Sequence, residues 1–349
     1  MFMKKMILLF CAGFIFLTAY SQTDVIQVLK AGKKDANVLA MAYLNPYAMA
    51  LGDGLNNGWY NTAKTHKQFG FDFNFSVSAI QVPKSETTFD LNLLGLTNLS
   101  PENAANHIAP TVAGTDQVGP RVIVKDDEGN TISSFNTPNG LGLDVVPVPM
   151  AQIGFGLLPH TDVIGRFVPK LKYDNNGDEM KIGFWGLGVK HNFKEWIPVI
   201  KSLPFDASVF ASYSEMNAQS EIKIRPGDFS DGDVRLTADN ATNQILKFNT
   251  KTSKFGLILS KKIGILTVFG GIGHSKSETA INLFGKYKVE TSTGELIFDL
   301  TDPIDLTFES KGICMDAGLR LKLAFFSLFG SVNKAEYTSY NAGVSFGFR

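Results

Sequence analysis

Five histidines are the side chains of this sequence best suited to acid–base or metal chemistry, but their spacing favours neither. They are His66, His107, His160, His191 and His274. No two of them have the His-x-x-x-His spacing of a helical metal site, and none neighbours a serine in a nucleophile elbow. His274 and Ser275 are adjacent, so on a strand they point to opposite faces and cannot form a dyad. We therefore expect no enzyme activity, no metal site and no cofactor.

Charged side chains within alternating polar and apolar stretches are more informative. The parity of these stretches predicts that the following side chains line the inside of a barrel: Asp72, Arg166, Lys170, Lys190, Asp206, Asp316, Arg320 and Lys322. An Arg or Lys on the lipid-facing side of a barrel costs about 2–4 kcal/mol at the membrane midplane, which agrees with that parity. The charges either tune permeation or form salt bridges that fill the interior, and the sequence leaves both interpretations open.

Long amphipathic strands must position these charges, and the clearest strand is 68–80. Between Gln68 and Ala79 every odd position is apolar and every even position is polar or glycine. Because side chains alternate along a strand at ~3.3 Å per residue, one face is a hydrophobic stripe about 35 Å long. A tilt of about 45° projects it to roughly 25 Å, the height of the lipid-facing band of an outer-membrane barrel. Strands of soluble proteins usually have only about 5–6 residues, so the length predicts a membrane-spanning strand.

The end of the chain repeats this pattern. In 339–349 the side chains of Tyr340, Ala342, Val344 and Phe346 share one face. A final amphipathic strand with an aromatic tip resembles the signal that the barrel-assembly machinery recognises, although here Arg349 is the last residue. We therefore expect that machinery and outer-membrane lipid as partners.

The lengths of the connections sort to two sides, as in outer-membrane barrels, which have short periplasmic turns and long external loops. If 68–80 runs outward, the long connections are external, and they are 81–148, 217–243 and 278–310. The connections on the other side are 159–162, the longer 193–204, Lys261-Lys262 and Leu323-Ala324. The barrel therefore begins and ends on the periplasmic side.

The strand number follows from the clear strands and two weaker stretches. Ten strands are clear, and 89–94 and 280–308 could add more pairs. Since such barrels have an even number of strands, we predict an all-β, transmembrane antiparallel β-barrel of 14 strands over residues 67–349, with 12 as the alternative.

The N-terminus predicts export. Lys4 and Lys5 precede an apolar run from Met6 to Thr18, and small residues then precede a cleavage site before Gln22, so 1–21 reads as a signal peptide. The run is shorter than the about 20 apolar residues of a spanning helix. We expect the mature protein in the outer membrane of a Gram-negative cell. The formal net charge is zero, so the sequence lacks the net positive charge that is typical of nucleic-acid-binding proteins, and we expect no nucleic-acid partner.

Residues 22–66 lack the strand pattern. Asp24 to Ala31 and Ala36 to Tyr43 predict short helices, and Pro46 and the glycines that follow interrupt them. This segment is either a helical plug inside the barrel or a soluble periplasmic extension. Trp59 and Tyr60 need burial, which favours the plug.

The order of a signal peptide, a small helical domain with Asn45-Pro46 and an amphipathic barrel resembles the long-chain fatty acid outer-membrane transporter superfamily. That resemblance implies a hatch-like N-terminal domain and 14 strands. The stretch 58–63 and Pro204-Phe205-Asp206 are similar to an uncharacterised family of Gram-negative outer-membrane proteins, which implies fold and location only.

Three functions remain open from the sequence. The first is a passive or gated outer-membrane channel for small, hydrophobic molecules, with a small apolar ligand or detergent in the barrel. The second is a non-transporting barrel that anchors or shuttles a partner protein through its long external segments. The third, an outer-membrane hydrolase, would need a Ser–His pair in the barrel wall, and the histidine spacing disfavours it.

Overall fold

The computed structural model describes residues 27–126, 128–175, 178–221, 234–238, 244–291 and 293–348. The predicted signal peptide, 1–21, lies outside these ranges. Among the described residues no helix is both long and apolar enough to cross a bilayer.

Strands dominate the described part of the chain. In chain order they are β1 (Phe71–Gln81), β2 (Thr88–Asp90), β3 (Leu99–Pro101), β4 (Ile108–Pro110), β5 (Arg121–Lys125), β6 (Thr131–Asn136), β7 (Val145–Leu158), β8 (Thr161–Asn175), β9 (Asp178–Asn192), β10 (Asp206–Glu221), β11 (Val234–Ala238), β12 (Ile245–Ile263), β13 (Leu266–Phe284), β14 (Lys286–Thr291), β15 (Leu296–Thr301), β16 (Ile304–Leu323), β17 (Phe326–Lys334) and β18 (Thr338–Phe348). The α-helices are α1 (Gly32–Asn56) and α2 (Pro198–Lys201).

Ten of these strands close into one antiparallel barrel in the order β1-β18-β17-β16-β13-β12-β10-β9-β8-β7. The barrel closes because β1 pairs with both β7 and β18. The two stripes that led to the membrane prediction lie side by side, with Phe71 opposite Phe348 and Gln81 opposite Thr338. The all-β barrel is confirmed.

The barrel has ten strands, where we expected 14 or 12, because the weaker stretches do not enter its wall. Residues 89–94 fall in β2 and a 3-10 helix, and β2 pairs only with β4. In 280–308, β13 and β16 extend past the expected turns, and the residues between them form β14 and β15 in a separate sheet with β11. Alternation alone does not distinguish a wall strand from a strand in a folded loop.

The outer face of the barrel carries a continuous apolar belt. Exposed apolar side chains occur on all ten of its strands, and they include Phe73, Ile153, Phe167, Leu187, Val209, Phe255, Leu257, Ile272, Ile313, Leu319, Val332 and Tyr340. On β16 the belt runs from Ile313 to Leu323, which at ~3.3 Å per residue and a tilt of about 45° spans roughly 23 Å. Beyond Ile313 the exposed side chains become polar, as at Lys311 and Glu309. This is the architecture of a transmembrane barrel.

The two ends of the barrel differ. One end, the long-connection end, carries 82–144, the strand β11 between β10 and β12, 285–303 and the short turn 335–337. The opposite, short-turn end carries 159–160, 193–205, 264–265 and 324–325. The expected turn at Lys261-Lys262 lies at 264–265, where Gly264 has a positive φ of 61°. The small strands β2–β6, β11, β14 and β15 form a folded cap over the long-connection end.

The N-terminal segment forms a 3-10 helix, Val28–Ala31, followed directly by one long α-helix, where we expected two short helices at 24–31 and 36–43. Helix α1 has 25 residues and continues through Pro46. It contacts β1 and β7 on one side of the barrel and β12, β13 and β16 on the other, so it lies inside the barrel. At Gly52 a β-carbon would collide with Ser277, and at Gly54 it would collide with Val148. These glycines let a helix fit against the wall of a narrow barrel.

Candidate functional site

The N-terminal segment runs along the interior from the long-connection end to the short-turn end. At the first, Asn37 donates to Pro303 O at 2.6 Å and accepts from the Asp305 amide at 2.9 Å. At the second, Ser208 donates to Ala63 O, and the segment then turns into β1. The described interior is therefore occupied along its whole length, first by an apolar half and then by a charged half.

The apolar half lies at the long-connection end. The 3-10 helix Val28–Ala31 and the start of α1 pack with buried side chains of the cap, among them Phe135, Leu236 and Val289. A second apolar cluster joins α1 to the inner faces of β1, β7 and β9. Leu44 and Met49 contact both clusters, so the apolar material is continuous from the cap to the middle of the barrel.

Arg166 marks the boundary between the two halves. Its guanidinium is buried and donates to Leu55 O at 2.9 Å and to Asn57 O at 2.6 Å. It also lies 3.8 Å from the ring centroid of Trp59. The last carbonyls of a helix have no partner within the helix and carry partial negative charge. Arg166 therefore holds the end of α1 against the wall.

The charged half centres on Asp162. Its carboxylate accepts from the His66 amide at 2.8 Å and lies 3.1 Å from His66 Nδ1 and 3.1 Å from Lys190 Nζ. Lys190 also donates to the carbonyls of Thr62 and Lys64. Asp72 lies 3.5 Å from His66 Nε2. Three ionisable side chains of the wall, Asp72, Asp162 and Lys190, thus hold residues 62–66.

A second polar cluster lies on the opposite wall. Tyr60 donates to Asp316, and Lys254 Nζ lies 3.3 Å from the same carboxylate. Trp59 packs against Gly186 and Gly188, where a larger side chain would meet its ring. The segment 57–66 is therefore fixed on both sides.

The predicted lining residues divide into three groups. Asp72, Arg166, Lys190 and Asp316 face the interior and contact each other or the N-terminal segment. Arg320 is buried and donates to Ser327 at 3.0 Å, while Asp206 accepts from Asn192 at 3.4 Å. Lys322, two residues after Arg320 on β16, is half-buried. Lys170 is exposed, because a bulge between Val168 and Leu171 shifts the β8 register by one residue. Its predicted parity is wrong.

The sequence reasoning missed His66, Asp162 and Lys254. Asp162 was assigned to a turn, but extending the parity of Arg166 by four residues places it inside. Lys254 shares an inner face with Thr252 and Ile258, and this mixed polarity hides the alternation. His274 and Ser275 do point apart: His274 stacks on Phe255 and Ser275 is buried. The described residues hold no cluster of His, Cys, Asp or Glu suited to a metal ion.

The barrel wall has a seam between β7 and β8. Their pairing runs from Leu158 opposite Thr161 up to Gln152 opposite Arg166 and then ends. Above that point, 145–151 of β7 pair only with β1, and 171–175 of β8 pair only with β9. We define the seam as the facing edges 145–151 and 167–175.

Prolines explain why the seam lacks pairing. Gly156 bonds to the β1 side through both its amide and its carbonyl, and Asp144 accepts from Val82 on that side. Since peptide groups alternate in direction along a strand, the odd residues of β7 face β8, and among them are Pro147 and Pro149. A proline has no N–H to donate. An unpaired backbone group in lipid costs several kcal/mol. Beyond Phe167 the exposed side chains of β8 include Lys170 and Lys172, so the seam opens at the edge of the belt that is nearer to the long-connection end.

Two cavities border the segment 57–66, and each is only water-sized. One lies among His66, Asp72 and Asp162, and the other beside Lys254 and Asp316, with about 10 Å³ of free space apiece. That volume holds about one water molecule. Neither of these two cavities can hold a larger solute in this state.

Comparison with solved structures finds other β-barrels at low similarity. The attachment invasion locus protein Ail of Yersinia pestis is 6% identical over 81% of this chain and 100% of that one, with a TM-score of 0.27. The translocator domain of the autotransporter NalP from Neisseria meningitidis is 10% identical over 90% and 98%, with a TM-score of 0.30. The Ralstonia pickettii toluene transporter TbuX is 9% identical over 81% and 90%, with a TM-score of 0.21.

Scores this low carry no argument about function. The search of curated proteins finds no match. One family model, by contrast, matches residues 3–348, which is nearly the whole chain. The protein, a closed barrel filled by its own N-terminal segment, therefore belongs to the family of unknown function (DUF6588).

Proposed function

We propose that the protein is an outer-membrane channel for small apolar molecules, held closed by residues 27–66 acting as a plug, with the β7–β8 seam as its lateral opening. The observation that carries the proposal is the seam, because two neighbouring strands of the described wall both continue there without pairing to each other. The apolar belt and the predicted signal peptide support a location in the outer membrane.

The lining of the seam favours apolar solutes. On its inner side lie Val148, Met150 and Phe184, all buried, and they belong to the cluster that contains Leu51 and Leu55 of α1. On its outer side Phe167 is exposed at the edge of the belt, and Val145 is exposed at the far end of the seam. An apolar molecule that enters through the cap could therefore reach the lipid without crossing the charged half.

Opening requires α1 to move away from the seam. The contacts that hold its end are hydrogen bonds and ion pairs of Arg166, Asp162 and Lys190. When these hydrogen bonds and ion pairs break, water can bind the released polar groups. Water cannot replace the contacts of a fully apolar interface in this way. The charged half thus serves as the latch of the plug in this proposal.

A disulfide across the seam tests the lateral opening. Ala151 and Phe167 occupy the next register position beyond Gln152 and Arg166. In the double variant Ala151→Cys/Phe167→Cys, oxidation should reduce uptake of an apolar dye into proteoliposomes, and dithiothreitol should restore it. Cys314 is buried and serves as the background thiol.

The matched control is Leu187→Cys/Tyr213→Cys, a pair on the sealed β9–β10 ladder. Oxidation of this pair should leave uptake unchanged. Equal dye uptake by both oxidised variants would show that the solute does not pass through the seam. The absence of uptake of any solute by the wild-type protein, with or without residues 27–66, would refute the channel.

A second candidate function is a non-transporting barrel that displays the cap to a partner protein. The observation in its favour is that the N-terminal segment fills the described interior and that the two cavities beside residues 57–66 each hold about one water. If this function is right, replacing cap residues 88–136 by a short linker should abolish binding of the partner protein. The wild-type protein should then take up no dye.

A further inference from the structure

An apolar surface lies on the longest connection of the short-turn end. Residues 193–205 join β9 to β10 through the 3-10 helix Lys194–Trp196 and α2. Trp196 is 71% exposed and Val199 is 78% exposed, and Ile197 and Leu203 are exposed as well. Large apolar side chains grouped in this way mark a surface that another apolar phase covers.

This surface continues the belt. The Trp196 ring lies 5.7 Å from the ring of His191, the last outward-facing residue of β9. His191 pairs with Val209, which is exposed in the belt, and Val189 is exposed two residues earlier on β9. The apolar side chains therefore run without a break from the barrel wall onto the connection.

The middle of the same strand carries a second exposed tryptophan. Trp185 lies 5.5 Å from Tyr213 between ring centroids, near the upper edge of the belt. Trp185 and His191 are six residues apart on β9, about 20 Å along the strand at ~3.3 Å per residue and roughly 14 Å across the membrane at a tilt of about 45°. Tryptophan and tyrosine are enriched at both membrane–water interfaces. Trp196 follows His191 in the chain, so Trp185 and Trp196 lie on either side of the apolar stretch of β9, as interfacial side chains do.

We infer that residues 196–203 lie in the phospholipid leaflet at the short-turn end, with Trp196 at the level of the headgroups, and that this connection anchors the depth of the barrel. Lys261 and Lys262 are exposed at the same end, on the neighbouring strand β12, where ammonium groups can meet lipid phosphates. The inference does not depend on the proposed transport.

Tryptophan fluorescence can test this placement, because the sequence has only three tryptophans and the third, Trp59, is buried. The test compares Trp185→Phe with Trp185→Phe/Trp196→Phe in phosphatidylcholine vesicles that contain bromine-labelled acyl chains. Trp59 stays in place, so the plug is undisturbed. The difference between the two emission spectra is the signal of Trp196 alone.

We expect bromine to quench that signal about as strongly as it quenches Trp185 in the Trp196→Phe variant, and bromine near the headgroup to quench more than bromine near the chain end. Quenching by aqueous acrylamide and not by brominated lipid would place the connection in water. Protection from both quenchers would mean that protein, such as a second copy, covers it. Either result overturns the inference. Heat-modifiable migration on a denaturing gel confirms that each variant is folded.

Discussion

Different interactions hold the N-terminal segment in the two halves of the barrel interior. The apolar half buries side chains of the cap and of α1 in continuous hydrophobic clusters. The charged half holds residues 57–66 by ion pairs and hydrogen bonds from strands that surround them. Burial of apolar area is non-directional and tolerant of small shifts, whereas buried charges must keep their partners. The apolar half therefore tolerates small displacements of α1. The charged half loses its stability when one partner of an ion pair moves away.

The apolar half should respond most to the loss of volume. Phe135→Ala removes a fully buried ring of β6 and should destabilise the cap by about 3–5 kcal/mol. Trypsin should then cleave the cap faster while the barrel still migrates as a folded species on an unheated gel. Leu93→Ala is the control, because Leu93 lies in the cap and is 82% exposed. Collapse of barrel and cap together would show that the two are one cooperative unit.

The charged half should respond most to the loss of one partner. Asp162→Asn leaves Lys190 and His66 without their shared carboxylate, and removal of one partner of a buried pair costs about 3–5 kcal/mol. Urea unfolding followed by tryptophan emission measures the loss. The double variant Asp162→Asn/Lys190→Met should recover much of the stability, since it leaves no uncompensated lysine charge. If the double variant is as weak as the sum of its single variants, the pair does not act as a unit.

The buried carboxyl of Asp53 should make the stability of the folded protein depend on pH. Burial raises the pKa of its carboxyl to about 6, although the Tyr337 amide donates to it. Because the folded-state pKa lies above the unfolded value of 3.8, the folded state binds the proton more tightly. Its contribution is present below about pH 4 and is lost as pH rises through 6, by at most about 3 kcal/mol.

The measurement is the urea midpoint between pH 4 and pH 7.5. Asp53→Asn keeps an oxygen to accept from the Tyr337 amide and has no charge, so its midpoint should vary less over this range. The same pH profile in wild type and variant would assign the dependence to another group.

The smallest expected effect concerns the fit of α1 to the wall. Gly52→Ala places a methyl group against Ser277 and should cost about 1–3 kcal/mol, as overpacking does. Ser277→Gly in the same background should recover part of that loss. Gly312→Ala is the control, because the space around a β-carbon at Gly312 is open. No rescue by Ser277→Gly would indicate that the strain lies in the helix backbone.

Strand alternation predicted the wall of the barrel well where polar and apolar residues alternate strictly. The 68–80 and 339–349 stripes are neighbours in β1 and β18, and four of the predicted charges contact the interior clusters. Alternation failed at Lys170, where a single bulge residue reverses the face. It also overcounted the strands, because β14 and β15 have the composition of strands without belonging to the wall.

The N-terminal segment was harder to predict. Pro46, Gly52 and Gly54 read as helix breakers, yet α1 contains all three. Tertiary packing explains why glycine occupies positions 52 and 54, because the helix there approaches Ser277 and Val148 too closely for a side chain. Such a cause is invisible when the segment is considered alone.

The sequence by itself determined that long amphipathic strands form a barrel with charges on its inner face, because a period of two residues is a local property of the chain. The tertiary structure alone decided that ten strands close the barrel, that α1 fills it, and that β7 and β8 part above Gln152 and Arg166. These features depend on which strands pair and on where pairing ends. Pairing joins residues far apart in the chain, so no local pattern specifies it.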